Sequence, residues 1–231
     1  MDLALSPDDE AFAASVRDWL AEHLEQPPAF ADLADEVAWG RRWQATMAAD
    51  RWVGVHWPEA YGGRGATPVQ VALYQTEYAR AQAPQPVNRV GINLVGPTLL
   101  AHGTEDQRHE WMPRILAADE LWCQLFSEPD AGSDLASLST RAVLVAGGYR
   151  VTGRKVWTSY AQFADWGLCL ARTDPEAPRP QQGISAMAVD MRARGVDIRP
   201  LVQLTGDAEF NEVFLDDVFV PAERLIGTEG Q

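Results

Sequence analysis

Two short stretches hold the side chains best suited to chemistry. The first is CQLFSEPDAGSD, residues 123–134. Its apolar run stops at Pro129 and Asp130, and Ala131, Gly132 and Ser133 then leave almost no side-chain bulk over the backbone. Main-chain N–H groups can approach a ligand closely there, with the hydroxyls of Ser127 and Ser133 at either end. Such a loop suits a phosphate, a pyrophosphate or the acceptor-rich edge of a ring. The same composition also makes an ordinary capped surface turn. The second stretch is GRKVWTSYAQFADW, residues 153–166. Gly153 reads as the start of a strand along which Lys155 and Trp157 alternate, and Thr158 and Ser159 follow the indole directly. An indole beside hydroxyl donors can stack on a flat heterocycle and hydrogen-bond its edge. It can equally be a core tryptophan at a strand end, in a chain with nine tryptophans. The chain has no GxGxxG and no Walker pattern, so neither a Rossmann nor a P-loop nucleotide site is supported.

The elements that must position these stretches fall into two halves. The first reads as helix. Ser6 is placed to cap a helix whose first position is Pro7, with Asp8, Asp9 and Glu10 at the positive end of its dipole. Phe12, Val16, Trp19 and Leu20 form its apolar stripe, and Pro27–Pro28 close the segment. Further helices are expected over 33–49, 68–83 and 94–101, and over 105–117 behind a Thr104 cap. The second half changes period. STRAVLVAGGYRVTGRKVWTS alternates around Gly147–Gly148, a hairpin signal, and GLCLART, ISAMAVDM, VDIRPLV and EVFLDDVFV are further strand-type runs. The expected fold is α+β: an all-helical domain over 1–120, then a small antiparallel β-barrel or sandwich over 121–231. PAERLIGTEGQ, at the end, reads as a linker into a further segment.

Composition narrows the function classes. The chain has 231 residues, 46% of them apolar, and a net charge of −14. That charge argues against a broad nucleic-acid or anionic-membrane surface, though not against a small anion held by backbone donors. No apolar run is long enough to span a bilayer, and MDLALSPDDE lacks the basic and apolar regions of a secretory signal. Cys123 and Cys169 lie in apolar stretches and read as small core residues in a reducing compartment, which points to the cytoplasm. The four histidines show no metal-ligand spacing, and no metal site is expected.

Taken together, the two stretches resemble the acyl-CoA dehydrogenase family. CQLFSEPDAGSDLASLSTRA is similar to that family's signature, and GRKVWTS to its second flavin-contacting stretch. GVHWPEAYGGRG resembles the connector of its helical N-terminal domain, and EVFLDDVFVPAERLIGTEG the strand and linker that close its middle β-domain. The resemblance covers essentially the whole chain and implies FAD as cofactor. Gln124, Leu125, Phe126, Ser127, Gly132 and Ser133 would line the flavin, with Ser127 on the edge of its ring. Trp157 would pack on the ring with Thr158 and Ser159 beside it, Ser159 donating toward the nitrogen that accepts hydride. Ser133 would also reach the substrate, together with Phe210 and Asn211, which stand where much of the family has an arginine.

The implied reaction is α,β-desaturation of an acyl-CoA thioester, with an electron-transfer flavoprotein as acceptor and a homo- or hetero-oligomer as the full-length form. The family's C-terminal helical bundle, which carries the catalytic glutamate, has no counterpart here. No catalytic residue is assigned, therefore, and the chain alone is expected to be inactive. Glu128 reads as an acceptor for backbone donors within the turn. Two other readings stay open: a non-catalytic subunit that completes a partner's flavin or CoA site, and a related acyl-CoA oxidase.

Overall fold

The computed structural model describes residues 4–230; Met1 to Leu3, part of the segment read above for a secretory signal, and Gln231 lie outside them. Compactness divides the chain into two interleaved units. One holds the residues up to Arg89 with Met112–Asp119, and the other holds Val90–Trp111 with the residues from Glu120 onward.

In the first unit, helix α1 spans Pro7–His23, and the Ser6 hydroxyl accepts from the Asp9 N–H at 3.2 Å. Helix α2 spans Leu33–Ala49 behind Asp32, whose carboxylate accepts from the Asp35 N–H at 2.9 Å. Helix α3 spans Pro68–Arg80, opened by a reciprocal Thr67–Gln70 capping box. It ends short of the expected residue 83 because Gln82 turns left-handed, at φ 52°. Trp43, Met47, Trp57, Tyr78 and Ile115 are buried at its core. The Gln44 amide binds the core together, donating to the carbonyls of Ile115 and Leu116 at 2.8 and 2.9 Å and accepting from the Asn88 N–H at 2.9 Å.

The second unit opens where one helix was expected over 94–101. A π-helical turn at Gly91–Val95 instead leads into a short helix α4, Gly96–His102. Helix α5, Glu105–Ala117, follows Thr104, which exchanges hydrogen bonds with Gln107 at 3.0 and 3.2 Å. Its residues up to Trp111 belong to this unit.

The rest is a single eight-stranded sheet: β1 Trp122–Leu125, β2 Arg141–Val145, β3 Gly148–Ser159, β4 Trp166–Arg172, β5 Ile184–Asp190, β6 Val196–Leu201, β7 Phe210–Pro221 and β8 Leu225–Ile226. The strand order is β6-β7-β3-β2-β4-β5-β8, with β1 against β4. The sheet is mainly antiparallel, as expected, but β1 and β2 each run parallel to β4. The Gly147–Gly148 signal is a tight hairpin in which Val145 pairs with Gly148. Gly153 does not start a strand. It sits within β3, where an added Cβ would lie 2.2 Å from Thr140 Oγ1. The segment read as a linker holds β8, tied down by the Gln107 amide on the carbonyls of Glu223 and Leu225 at 2.8 and 2.7 Å. Cys123, Leu125, Val151, Cys169, Met187 and Val213 form the core. Burial pushes both thiols up, that of Cys169 to about 11.

Candidate functional site

β1 delivers the first stretch. Trp122, Cys123 and Leu125 are buried while Gln124 faces outward. Trp122 serves the core, stacked at 5.9 Å on Trp166 and edge-on at 5.2 Å to Trp111. Beyond β1 the chain folds into a tight turn closed by two hydrogen bonds between Glu128 and Ala131, at 2.7 and 3.2 Å, with Pro129 and Asp130 exposed at its tip.

The second stretch meets the first along β3. The Val156 N–H donates to the Ser127 carbonyl at 2.9 Å. In the alternation of β3 Tyr149, Val151 and Lys155 point inward, and a buried ammonium must find partners or lose its charge. Lys155 is wholly buried, and its Nζ donates to Glu128 Oε1 at 2.8 Å, the Phe126 carbonyl at 3.1 Å and the Leu170 carbonyl at 2.8 Å. Three acceptors use its three donors. Glu128 is saturated as well, accepting from the Ser139 N–H and hydroxyl, both at 2.7 Å, and from the Thr140 N–H at 2.9 Å. Burial pushes its carboxyl up, but Lys155, Thr140 and Ser139 together outweigh burial and hold it down at about 2. Glu128 is thus an anchor and not a proton carrier at neutral pH. It ties three segments together: its own turn, the chain entering β2, and β3.

Past Lys155 the ladder between β3 and β7 shifts register before resuming at Thr158. Strict alternation would turn Trp157 into the core; the bulge puts Thr158 there instead, 1% exposed, and leaves Trp157 64% exposed. Trp157 takes a left-handed conformation, φ 60°, as does Tyr160 at φ 57°. Each costs about 1–2 kcal/mol for a residue bearing a side chain. The indole stands edge-on to Phe210, with ring centroids 6.2 Å apart.

These elements enclose a hollow of about 130 Å³ lined by Val90, Gln124, Phe126, Ser127, Val156, Trp157 and Ser159. Two hydroxyls, an amide, an exposed indole and a phenyl ring suit a flat heteroaromatic group with acceptors on its edge. Five of the nine expected cofactor residues therefore converge: Gln124, Phe126, Ser127, Trp157 and Ser159. Leu125 and Thr158 are buried inside the fold, and Gly132 and Ser133 lie exposed beyond the turn, outside the lining. Of the expected substrate contacts, Phe210 flanks Trp157, whereas Asn211 is wholly buried with its amide engaged within the fold. Sequence reasoning missed Val90, Val156 and the Glu128–Lys155 pair. A lysine at an inward strand position was the signal for that pair.

A larger hollow, about 620 Å³, lies by Arg150, Arg194, Asp216, Asp217 and Phe219. Its charges are of both signs, and Arg150 is committed to the Asp217 carbonyl at 2.9 Å and carboxylate at 3.3 Å. It holds neither stretch. Among the described residues no cluster of ligating side chains suits a metal ion, and no helix is long and apolar enough to cross a membrane.

Comparison with known proteins bears on this geometry. Residues 6–119 match the family model described as the acyl-CoA dehydrogenase N-terminal domain, and residues 123–218 match its middle domain. The acyl-CoA dehydrogenase IpdE1 of Mycobacterium tuberculosis is 46% identical over 96% of this chain and 60% of its own length. Among solved structures, the ChsE4–ChsE5 complex of Mycobacterium tuberculosis superposes with a TM-score of 0.82 at 33% identity, over 100% of this chain and 58% of that one. The Tcur3481–Tcur3483 steroid ACAD gives 0.81 at 32% identity, over 100% of this chain and 59% of that one. The chain thus spans 60% or less of the length of these proteins.

Proposed function

The chain belongs to the acyl-CoA dehydrogenase family, and on that premise we propose that it is the flavin-facing portion of an FAD-dependent enzyme that desaturates an acyl-CoA thioester between its α and β carbons. The observation that carries this reading is the convergence of Ser127, Trp157 and Ser159 on one hollow, held by the buried Glu128–Lys155 pair. The residues present fit a flavin ring: an exposed indole offers a face, and two hydroxyls offer donors to an edge.

FAD, when bound, supplies the two-electron chemistry by accepting hydride. The chain's own residues orient and polarise. With FAD bound, Ser127 and Ser159 would offer O–H donors to the ring edge, where preorganised donors stabilise negative charge without reorganising. Trp157 would offer its exposed indole face to the ring and shield it from water. Gln124 would add an amide to the same lining. The lining holds no carboxylate or imidazole, so the base that removes the α-proton is assigned to the part of its relatives that lies outside this chain's span. On that assignment the chain alone turns over slowly or not at all, for want of a group that contributes about 10²–10⁴ in rate. The two heteromeric neighbours support a hetero-oligomeric assembly and make a steroid-type acyl-CoA the first substrate class to try. An electron-transfer flavoprotein is the proposed acceptor.

Visible flavin absorbance of the purified protein tests the reading. The chain, or a form extended to the length of its relatives, should retain FAD or take it up on reconstitution. If both forms stay colourless after reconstitution, the proposal fails.

A further inference from the structure

We propose that Asn211 is a positioning residue that fixes the ligand-facing edge formed by Trp157 and Ser159, acting through the backbone and not by touching substrate. The inference rests on reading the hollow as a flavin site. Asn211 stands on β7 directly opposite Thr158 on β3 and is 0% exposed. Its Nδ2 faces three acceptors: the Thr158 carbonyl at 3.0 Å, the Glu209 carbonyl at 3.2 Å and Gln162 Oε1. The two backbone carbonyls, which can only accept, place the nitrogen on their side and leave Oδ1 buried without a partner.

The acceptors mark out what is held. Thr158 and Ser159 lie between the two left-handed residues, Trp157 and Tyr160. The Thr158 carbonyl is tied from below by Asn211. The Glu209 carbonyl is tied by Asn211 and also accepts from the Tyr160 N–H at 2.9 Å. Gln162 completes the clasp, its Nε2 donating to the Ala208 carbonyl at 2.9 Å. One side chain thereby holds both edges of the interval in which the backbone leaves its preferred conformation. Asparagine is the residue this task needs. Aspartate has the same shape but would set oxygens against three acceptors, and leucine has no donor. Asn211 lies outside the lining of the hollow, so its influence on a ligand passes through the placement of Trp157 and Ser159.

The test uses Asn211→Asp, Asn211→Ala and a reference, Val213→Ala, which loosens β7 at a core position outside the clasp. Amide hydrogen exchange over 157–163 is measured without flavin, FAD affinity by titration, and melting temperature on the same samples. Leaving buried acceptors unpaired should accelerate exchange over 157–163 and weaken FAD binding, each by about tenfold or more, in both Asn211 variants. Val213→Ala should lower the melting temperature without that local acceleration. Should neither Asn211 variant fold, Gln162→Ala, which removes one acceptor and the Ala208 tether, should show the same local acceleration in milder form. Exchange over 157–163 that matches the wild type or the reference overturns the proposal. If neither the wild-type chain nor its extended form binds FAD, the flavin reading falls while the exchange result still decides the clasp.

Discussion

The two ends of strand β3 solve the same problem differently. At its start the chain reverses through a two-residue hairpin with Gly147 at φ 83°, a conformation glycine adopts without penalty. At its finish Trp157 and Tyr160 take φ 60° and 57° while carrying aromatic side chains. The hairpin has its ladder and one further hydrogen bond, from the Ala222 N–H to the Gly147 carbonyl at 3.0 Å. The far end needs a buried ion pair, a buried asparagine and several main-chain carbonyls to hold it. Strained backbone persists only where its surroundings over-determine it, and here it persists at the hollow that gathers both unusual stretches. The difference between the ends separates a turn that merely connects strands from a turn that aims side chains.

The largest effect should come from breaking the anchor of the strained end. Lys155→Met leaves the buried Glu128 carboxylate without its counter-ion, and should cost about 3–5 kcal/mol in urea unfolding. The same anchor sets acid sensitivity. The Glu128 carboxyl is depressed in the fold to about 2 from an ordinary 4.5, so its contribution is complete above 4.5 and is lost as pH falls toward 2. An acid titration of Glu128→Gln should lack that component of the loss. A smaller effect compares the two ends directly. Gly147→Ala meets no clash, its added Cβ lying 3.9 Å from Phe219, so its cost is the left-handed conformation alone, about 1 kcal/mol. Trp157→Gly relieves that conformation and loses little burial, so its stability should stay within about 1 kcal/mol of wild type while FAD affinity falls about tenfold. If Trp157→Gly were as destabilising as a core deletion, the indole would be structural and the contrast between the ends would vanish.

What could be read from the sequence was local. Ser6-Pro7 marked the start of α1, and α2 runs over the expected Leu33–Ala49, because caps and apolar periods are written within a few residues. Gly147–Gly148 marked the hairpin for the same reason. The π turn at Gly91–Val95 escaped because its composition is that of any apolar helix. β8 escaped because two residues carry no period, and its place depends on Gln107 far upstream. At the candidate site the residue types were legible, but their directions were not. The bulge that swaps Trp157 with Thr158 reflects the pairing of β3 with β7, and the burial of Asn211 reflects the same pairing. Lys155 reaches acceptors at Phe126, Glu128 and Leu170, which only the folded sheet brings together.

The most direct measurement is a crystal structure of the flavin-loaded protein, extended to the length of its relatives if the chain alone does not hold FAD. The isoalloxazine ring should lie against Trp157, with the Ser127 and Ser159 hydroxyls at about 2.6–3.2 Å from acceptors on its edge. A ring seated elsewhere, for example in the hollow beside Arg150 and Phe219, with Trp157 still exposed, would contradict the account.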